Sequence, residues 1–301
     1  MDSSIRRGSL EMIVAMLISG TIGWFVLVSG QPVLEVVFWR CVFGAGALLV
    51  ICASLGLLKS GVISRGAVLL AIVSGVAIVG NWVLLFASYS RASIAIGTAV
   101  YNVQPFLLVG LAAVFLGEKI TLAKLSWLGV AFVGMLAIVS AHGNGQSSGS
   151  DYLLGIALAL GAALLYAVAA LIIKRLSGTP PHLIALIQVS TGIVLLAPWV
   201  KLGGLPAELP ALASLLTLGI VHTGLMYVLL YSAIQRLPTA LTGALSFIYP
   251  IAAILVDWFA FGHRLAPLQW LGVALILLAA AGMQQGWWFR APGKAAPSPC
   301  D

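Results

Sequence analysis

The sequence predicts an all-α membrane protein of ten transmembrane helices, arranged as two inverted five-helix repeats. Three observations predict it. Of 301 residues, 61% are apolar and 8% are charged, and the mean hydropathy is +1.13; a soluble domain carries roughly 25% charged residues. Predominantly apolar runs of membrane-spanning length recur ten times. The two halves of the chain align with each other.

A helix rises 1.5 Å per residue, so crossing the hydrocarbon takes about 20 apolar residues. Such runs fall at 9–28, 33–55, 66–88, 93–116 and 121–140, then at 152–173, 181–200, 209–232, 239–261 and 266–287. They are long and do not alternate, which favours helices over a barrel, since lipid admits no open backbone. The breaks carry turn chemistry, as at Gly30-Gln31-Pro32, Gly117-Glu118-Lys119, Gly178 to Pro181, Pro238 and Gly262-His263-Arg264. The longest polar break, Gly143 to Ser150 with His142 before it, reads as a flexible linker. The expected organisation is a first repeat at 1–142, a linker at 143–151, a second repeat at 152–290 and a cytoplasmic tail at 291–301. Arg6 and Arg7 precede an apolar run without a following A-x-A-like site, so the run is expected to be a retained first span.

Net charge is +7. The basic residues sit singly or in pairs between apolar runs, which suits membrane orientation and not a nucleic-acid patch. Of fifteen Lys and Arg residues, eleven fall on one set of loop sides (Arg6, Arg7, Lys59, Arg65, Lys119, Lys124, Lys174, Arg175, Arg236, Arg290, Lys294). Three fall on the other (Arg91, Lys201, Arg264), and Arg40 falls inside a span. The positive-inside rule then puts both termini in the cytoplasm. Cys41, Cys52 and Cys300 form no disulfide framework or metal spacing, and no cofactor is implied.

Placing Pro105 on Pro250 aligns Phe86 to Arg91 with Tyr231 to Arg236, and Gly117-Glu118-Lys119 with Gly262-His263-Arg264. A two-residue shift superposes Trp127-Leu128-Gly129-Val130-Ala131 on the identical Trp270-Leu271-Gly272-Val273-Ala274. Five spans per half is an odd number, so the second half must enter the membrane inverted. Inverted repeats of this kind characterise transporters, with substrate sites near mid-membrane at the repeat interface.

The doubled five-span unit, the Pro105 and Pro250 helices, the Gly117-Glu118-Lys119 turn and the twice-used Trp-Leu-Gly-Val-Ala opening resemble the drug/metabolite transporter superfamily in its EamA branch. The resemblance covers essentially the whole chain. One departure is His263, where the family usually has Glu. Within the superfamily the chain is similar to aromatic amino acid exporters of the YddG type. That similarity implies a multi-pass protein of the bacterial inner membrane that exports aromatic amino acids and related metabolites, with export of other metabolites or drugs as the alternative.

Polar side chains in lipid are expected to face a cavity. The ninth span carries Thr239, Thr242, Ser246, Tyr249 and Asp257 at helical spacing. The fourth offers Gly97, Tyr101 and Gln104, the third Asn81 and Trp82, and the eighth His222, Thr223 and Tyr227. Trp82 and Tyr227 are equivalent across the repeat, as are Trp24 and Tyr166. The expected substrate-binding set is Trp24, Asn81, Trp82, Tyr101, Gln104, Tyr166, His222, Tyr227, Ser246 and Tyr249. Rings would stack on a flat side chain, and Asn81, Gln104 and Ser246 would bond its amino and carboxylate groups. Against this stand blander roles. Ser and Thr often bond their own helix, and Trp and Tyr often form interfacial belts, as read for Trp199, Trp287 and Trp288. His222 is open between a proton relay, a substrate contact and a helix–helix hydrogen bond. Pro105 and Pro250 are kinks or hinges.

Glu35, Arg40 and Asp257 are expected to snorkel to the interface. No carboxylate sits at mid-depth, which predicts weak ion coupling or facilitated diffusion. An integral-membrane enzyme is disfavoured: His142, His182, His222 and His263 come with no HExxH or acid pair. A channel is disfavoured by the lack of a filter-like run or ring of charge. The expected partners are a small-molecule substrate and the lipid bilayer, with no nucleic acid, and the chain is expected to act as a monomer.

Overall fold

The computed structural model describes residues 3–59, 61–92, 97, 100–140, 150–200, 205–261, 267–285 and 287. The linker residues 143–149, His142, His263, Trp288, the tail and the side chain of Asp257 lie outside the described set. All regular structure among the described residues is helical. The first apolar run forms α1 (Ser3–Ser19) and α2 (Ile22–Ser29), and the second forms α3 (Val33–Ser54). Then come α4 (Arg65–Ala92), α5 (Gln104–Leu116), α6 (Leu122–Ser140), α7 (Ser150–Arg175) and α8 (Pro181–Leu196). The chain continues with α9 (Leu209–Gly219), a π-helical segment (Ile220–Leu225) and α10 (Met226–Arg236) in one unbroken rod. It closes with α11 (Thr239–Ser246), α12 (Ile248–Phe261) and α13 (Pro267–Gln285).

Six helical stretches are long and apolar enough to cross a membrane, and four shorter apolar helices accompany them. Large apolar side chains such as Leu49, Val50, Leu69, Val114 and Leu153 point outward. On a soluble protein such a surface would be an aggregation hazard; facing lipid it costs nothing. The chain is a multi-pass membrane protein.

Helix ends follow the local chemistry. Gly30 and Gly117 adopt left-handed φ of 60° and 67° and close α2 and α5, a conformation that a Cβ would strain. Pro181 opens α8, where its missing N–H costs nothing. Proline also interrupts. Pro105 lies in the first turn of α5 directly after the Asn102–Val103 turn, and Pro250 follows the single-residue break at Phe247. Each ring removes the hydrogen bond to the carbonyl four residues back.

Between helices in lipid, close packing and polar bonds replace the hydrophobic effect. Helices α4 and α7 pack most extensively. There Ala159, Ala162 and Ala163 are fully buried, and Asn81 donates from Nδ2 to the Ala162 carbonyl at 2.7 Å. Helices α6 and α13 form a second interface, where Trp127 presses on Gly282 and donates to the Trp287 carbonyl at 2.8 Å. The duplicated Trp-Leu-Gly-Val-Ala openings diverge here: Trp127 is buried and Trp270 is more than half exposed.

At the Lys/Arg-rich end, side chains tie α1, α5, α7, α10 and α11 together. Glu11 receives Arg7 at 3.0 Å and Arg236 at 2.6 Å. Glu118 receives Thr239 at 2.6 Å and faces Lys174 at 3.7 Å, while Lys174 also donates to the Leu237 carbonyl. Gln235 donates to the carbonyls of Leu176 and Thr179.

Candidate functional site

A cavity of about 90 Å³, room for several waters or part of a small solute, opens between the helices. Eight of the ten residues singled out by sequence line it: Asn81, Trp82, Tyr101, Gln104, Tyr166, Tyr227, Ser246 and Tyr249. They come from α4, the stretch before α5, the first residue of α5, and α7, α10, α11 and α12, so both halves of the chain supply walls. Trp82 donates from Nε1 to the Tyr227 hydroxyl at 2.7 Å, with the rings edge-on at 5.4 Å. Tyr101 meets Tyr166 edge-on at 6.2 Å. Edge-to-face geometry is the one that aromatic quadrupoles favour.

Two of the ten lie elsewhere. Trp24 is 37% exposed and packs edge-on against Phe25, whereas its repeat equivalent Tyr166 is buried in the wall. The break at Gly20–Thr21 re-phases the helix, and with 100° per residue a small offset turns Trp24 outward while Gly23 faces the cavity. His222 is also absent from the wall. Its Nε2 lies 2.6 Å from the Thr21 hydroxyl and its Nδ1 3.2 Å from the Thr217 carbonyl. That geometry matches a helix–helix bond bridging the break in the first run.

The polar candidates divide further. Ser246 donates its hydroxyl to the Gly243 carbonyl of its own helix at 2.7 Å, and Asn81 is spent partly on Ala162. Gln104 is buried, and its side-chain oxygen finds no hydrogen-bond partner among the described residues.

Arg40 corrects an expectation. Instead of snorkelling, it is 1% exposed and contributes to the cavity wall. Its guanidinium lies 4.1 Å from the centre of the Trp82 ring and 5.7 Å from that of Tyr227. Nε donates to the Thr223 hydroxyl at 2.7 Å, and Nη2 to the His222 carbonyl at 3.1 Å. The π-helical segment makes these acceptors available. It widens one turn, and the Thr223 hydroxyl donates to the Leu218 carbonyl five residues back. Gly44 and Gly219 let α3 approach this turn: a Cβ on Gly44 would sit 2.7 Å from Thr223 Cγ2, and one on Gly219 2.3 Å from Phe43 Cβ. Behind the wall, and outside the cavity lining, sit Tyr231 and Gln188, which sequence reasoning did not single out. Tyr231 packs edge-on to Tyr227 at 5.2 Å and donates to Gln188, which donates on to Ser74 at 2.6 Å. Their signal was a polar residue in an apolar run at helical spacing from the aromatic positions.

The residues 6–140 and 153–284 each match the model of the EamA-like transporter family, so the family unit occurs twice along the chain. The chain belongs to the EamA-like transporter family. A transporter of Bacillus subtilis named YxxF, uncharacterized, is 31% identical over 91% of this chain and 87% of its own length. An uncharacterized transporter of Archaeoglobus fulgidus is 25% identical over 94% of this chain and 97% of its own length. A protein of Streptantibioticus cattleyicolor named a probable terminal-alkyne amino-acid exporter is 28% identical over 65% of this chain and 64% of its own length. A solved crystal structure superposes with a TM-score of 0.81 at 20% identity, covering 95% of this chain and 99% of the other, so the fold is one already seen in a solved protein.

Proposed function

We propose that this EamA transporter is a carrier that exports small amphipathic metabolites, aromatic amino acids foremost, across the bacterial inner membrane. The observation that carries this reading is the cavity wall. Trp82, Tyr101, Tyr166, Tyr227 and Tyr249 surround one space, with Arg40, Asn81 and Gln104 among them. Rings accommodate a flat apolar side chain, and the few polar groups suit a charged backbone. The printed name of the Streptantibioticus relative, an amino-acid exporter, supports amino acids as the class.

The architecture we infer is ten spans in two inverted five-helix repeats, with both termini cytoplasmic. Two observations support it. The family unit matches twice. The pairings between halves also come in matched sets: α1 on α10 mirrors α7 on α4, and α1 on α11 and α12 mirrors α7 on α5. Transport then proceeds by alternating access, the halves rocking about the helix breaks before Pro105 and Pro250. On this reading the Glu11–Arg236 and Glu118–Lys174 pairs, each joining one half to the other, are candidates for the contacts that part when the basic end opens. Membership in a transporter family, with no Asp or Glu among the described lining residues, favours facilitated diffusion over strong proton coupling and argues against an enzyme.

The test is counterflow. Purified protein is reconstituted into liposomes, loaded with labelled phenylalanine and challenged with unlabelled compounds outside. Exchange with phenylalanine, tyrosine or tryptophan is the expected result. Exchange confined to phosphorylated or nucleotide-linked compounds rejects the amino acid reading, and exchange with planar cationic drugs favours the alternative of a drug exporter.

A further inference from the structure

We infer that the cavity selects zwitterionic α-amino acids, with the substrate carboxylate held by Arg40 and its ammonium by the side-chain oxygen of Gln104; this rests on the proposed reading of the cavity as the transport site. Arg40 is a fully buried cation whose partners are all neutral: a hydroxyl, a backbone carbonyl and two aromatic rings. The ion pairs among the described residues use Arg7, Lys174 and Arg236, and none uses Arg40. A buried charge without a counter-ion is costly and stays only where something repays it. Lysine would supply a point charge, but the guanidinium of Arg40, which lines the cavity, carries N–H groups beyond the two bonded to Thr223 and His222 with which to hold a carboxylate.

Gln104 supplies the second, independent observation. Its side chain is 5% exposed and lines the same cavity, yet its oxygen lacks a partner among the described residues. An orphaned buried acceptor calls for an explanation, and a substrate ammonium is a donor that would satisfy it. An anion anchor and an ammonium acceptor in one aromatic-walled space match the two ends of an amino acid. The same arrangement disfavours a purely cationic ligand, because no carboxylate of a described residue offsets Arg40.

The experiment uses three ligands that share one ring: phenylalanine, 3-phenylpropionate and phenethylamine. Each competes in the reconstituted exchange assay and is measured by thermal shift on the purified protein. Leucine and isopentylamine form an aliphatic arm. Phenylalanine is expected to act most strongly, 3-phenylpropionate less, and phenethylamine at least tenfold more weakly than phenylalanine. Arg40→Gln, checked for a cooperative melt, should weaken phenylalanine at least tenfold, and Arg40→Lys should fall between. Gln104→Leu should erase the advantage of phenylalanine over 3-phenylpropionate and leave 3-phenylpropionate unchanged. If Arg40→Gln fails to fold, the wild-type ligand series and Gln104→Leu still decide. Phenethylamine matching phenylalanine, a folded Arg40→Gln that keeps the wild-type preference, or no response to any carboxylate-bearing compound overturns the inference. If every aromatic compound fails but leucine exceeds isopentylamine, with the same dependence on Arg40, the aromatic reading falls and this inference stands.

Discussion

Trp82 joins the two halves of the chain at a single side chain. It donates to Tyr227 across the interface and lies under the Arg40 guanidinium. Trp82→Ala, Tyr101→Ala and Tyr227→Ala are each expected to reduce uptake of labelled phenylalanine into liposomes at least tenfold, whereas Trp24→Ala leaves it near wild type. Wild-type rates in all three would sink the site assignment. Truncating a buried ring costs roughly 3–5 kcal/mol, so each variant is compared by rate per folded molecule after a thermal melt. His222 belongs to packing in this geometry. His222→Ala should lower stability by about 1 kcal/mol through its lost bonds to Thr21 and Thr217, which a detergent melt measures. At this scale the sequence was a good guide to residue type and a poor one to direction. Aromatic residues at helical spacing in apolar runs marked most of the wall. Arg40 was misread because its position near a span end is compatible with snorkelling, and only its neighbours show that it turns inward. Trp24 was misread because a helix break upstream shifts the phase of every residue after it.

The interrupted helices carry the element-scale argument. Pro105 and Pro250 stop the ladder at matching places, and the π-helical segment at Ile220–Leu225 presents Arg40 with two acceptors, the Thr223 hydroxyl and the His222 carbonyl. Its contact with α3 depends on missing side chains. Gly44→Val is expected to push α3 away from Thr223 and lower stability by about 1–3 kcal/mol. Gly46→Ala, where nothing lies within 4 Å, serves as the unaffected control. The polar ties at the basic end make a second prediction. Glu11→Gln removes the carboxylate charge that Arg7 and Arg236 share and should cost about 1.5–3 kcal/mol. Under the alternating-access reading it should also raise labelling of a cysteine placed at Gly23, in a background with Cys41, Cys52 and Cys300 replaced by Ser, by a reagent trapped inside the vesicles. Unchanged labelling would separate the ion pair's structural contribution from any role in closure. The proline breaks could be anticipated from sequence, since a ring without an N–H is a local fact. The π segment could not, because the His222, Thr223 and Gly224 within Ile220–Leu225 also occur in regular helices and no residue type by itself dictates a widened turn.

For the whole molecule, a wall without acidic residues among those described predicts transport driven by the substrate's own gradient. Imposing a proton gradient across the liposomes should change the initial exchange rate less than twofold; strict dependence on it would contradict the prediction. Hydropathy marked the chain as a membrane protein built of apolar helices, and internal alignment marked which residues occur in both halves. These are properties of short stretches read one at a time, and lipid enforces them on every stretch. The cavity is different in kind. Arg40 meets Thr223 across 183 positions of sequence, and Trp82 meets Tyr227 across 145. Helix phase, the widened turn and the glycine contacts that bring those pairs together are collective results of packing. The chain therefore declared its membrane class and its aromatic inventory residue by residue, while the buried cation at the centre of the site emerged only when the helices were set against one another.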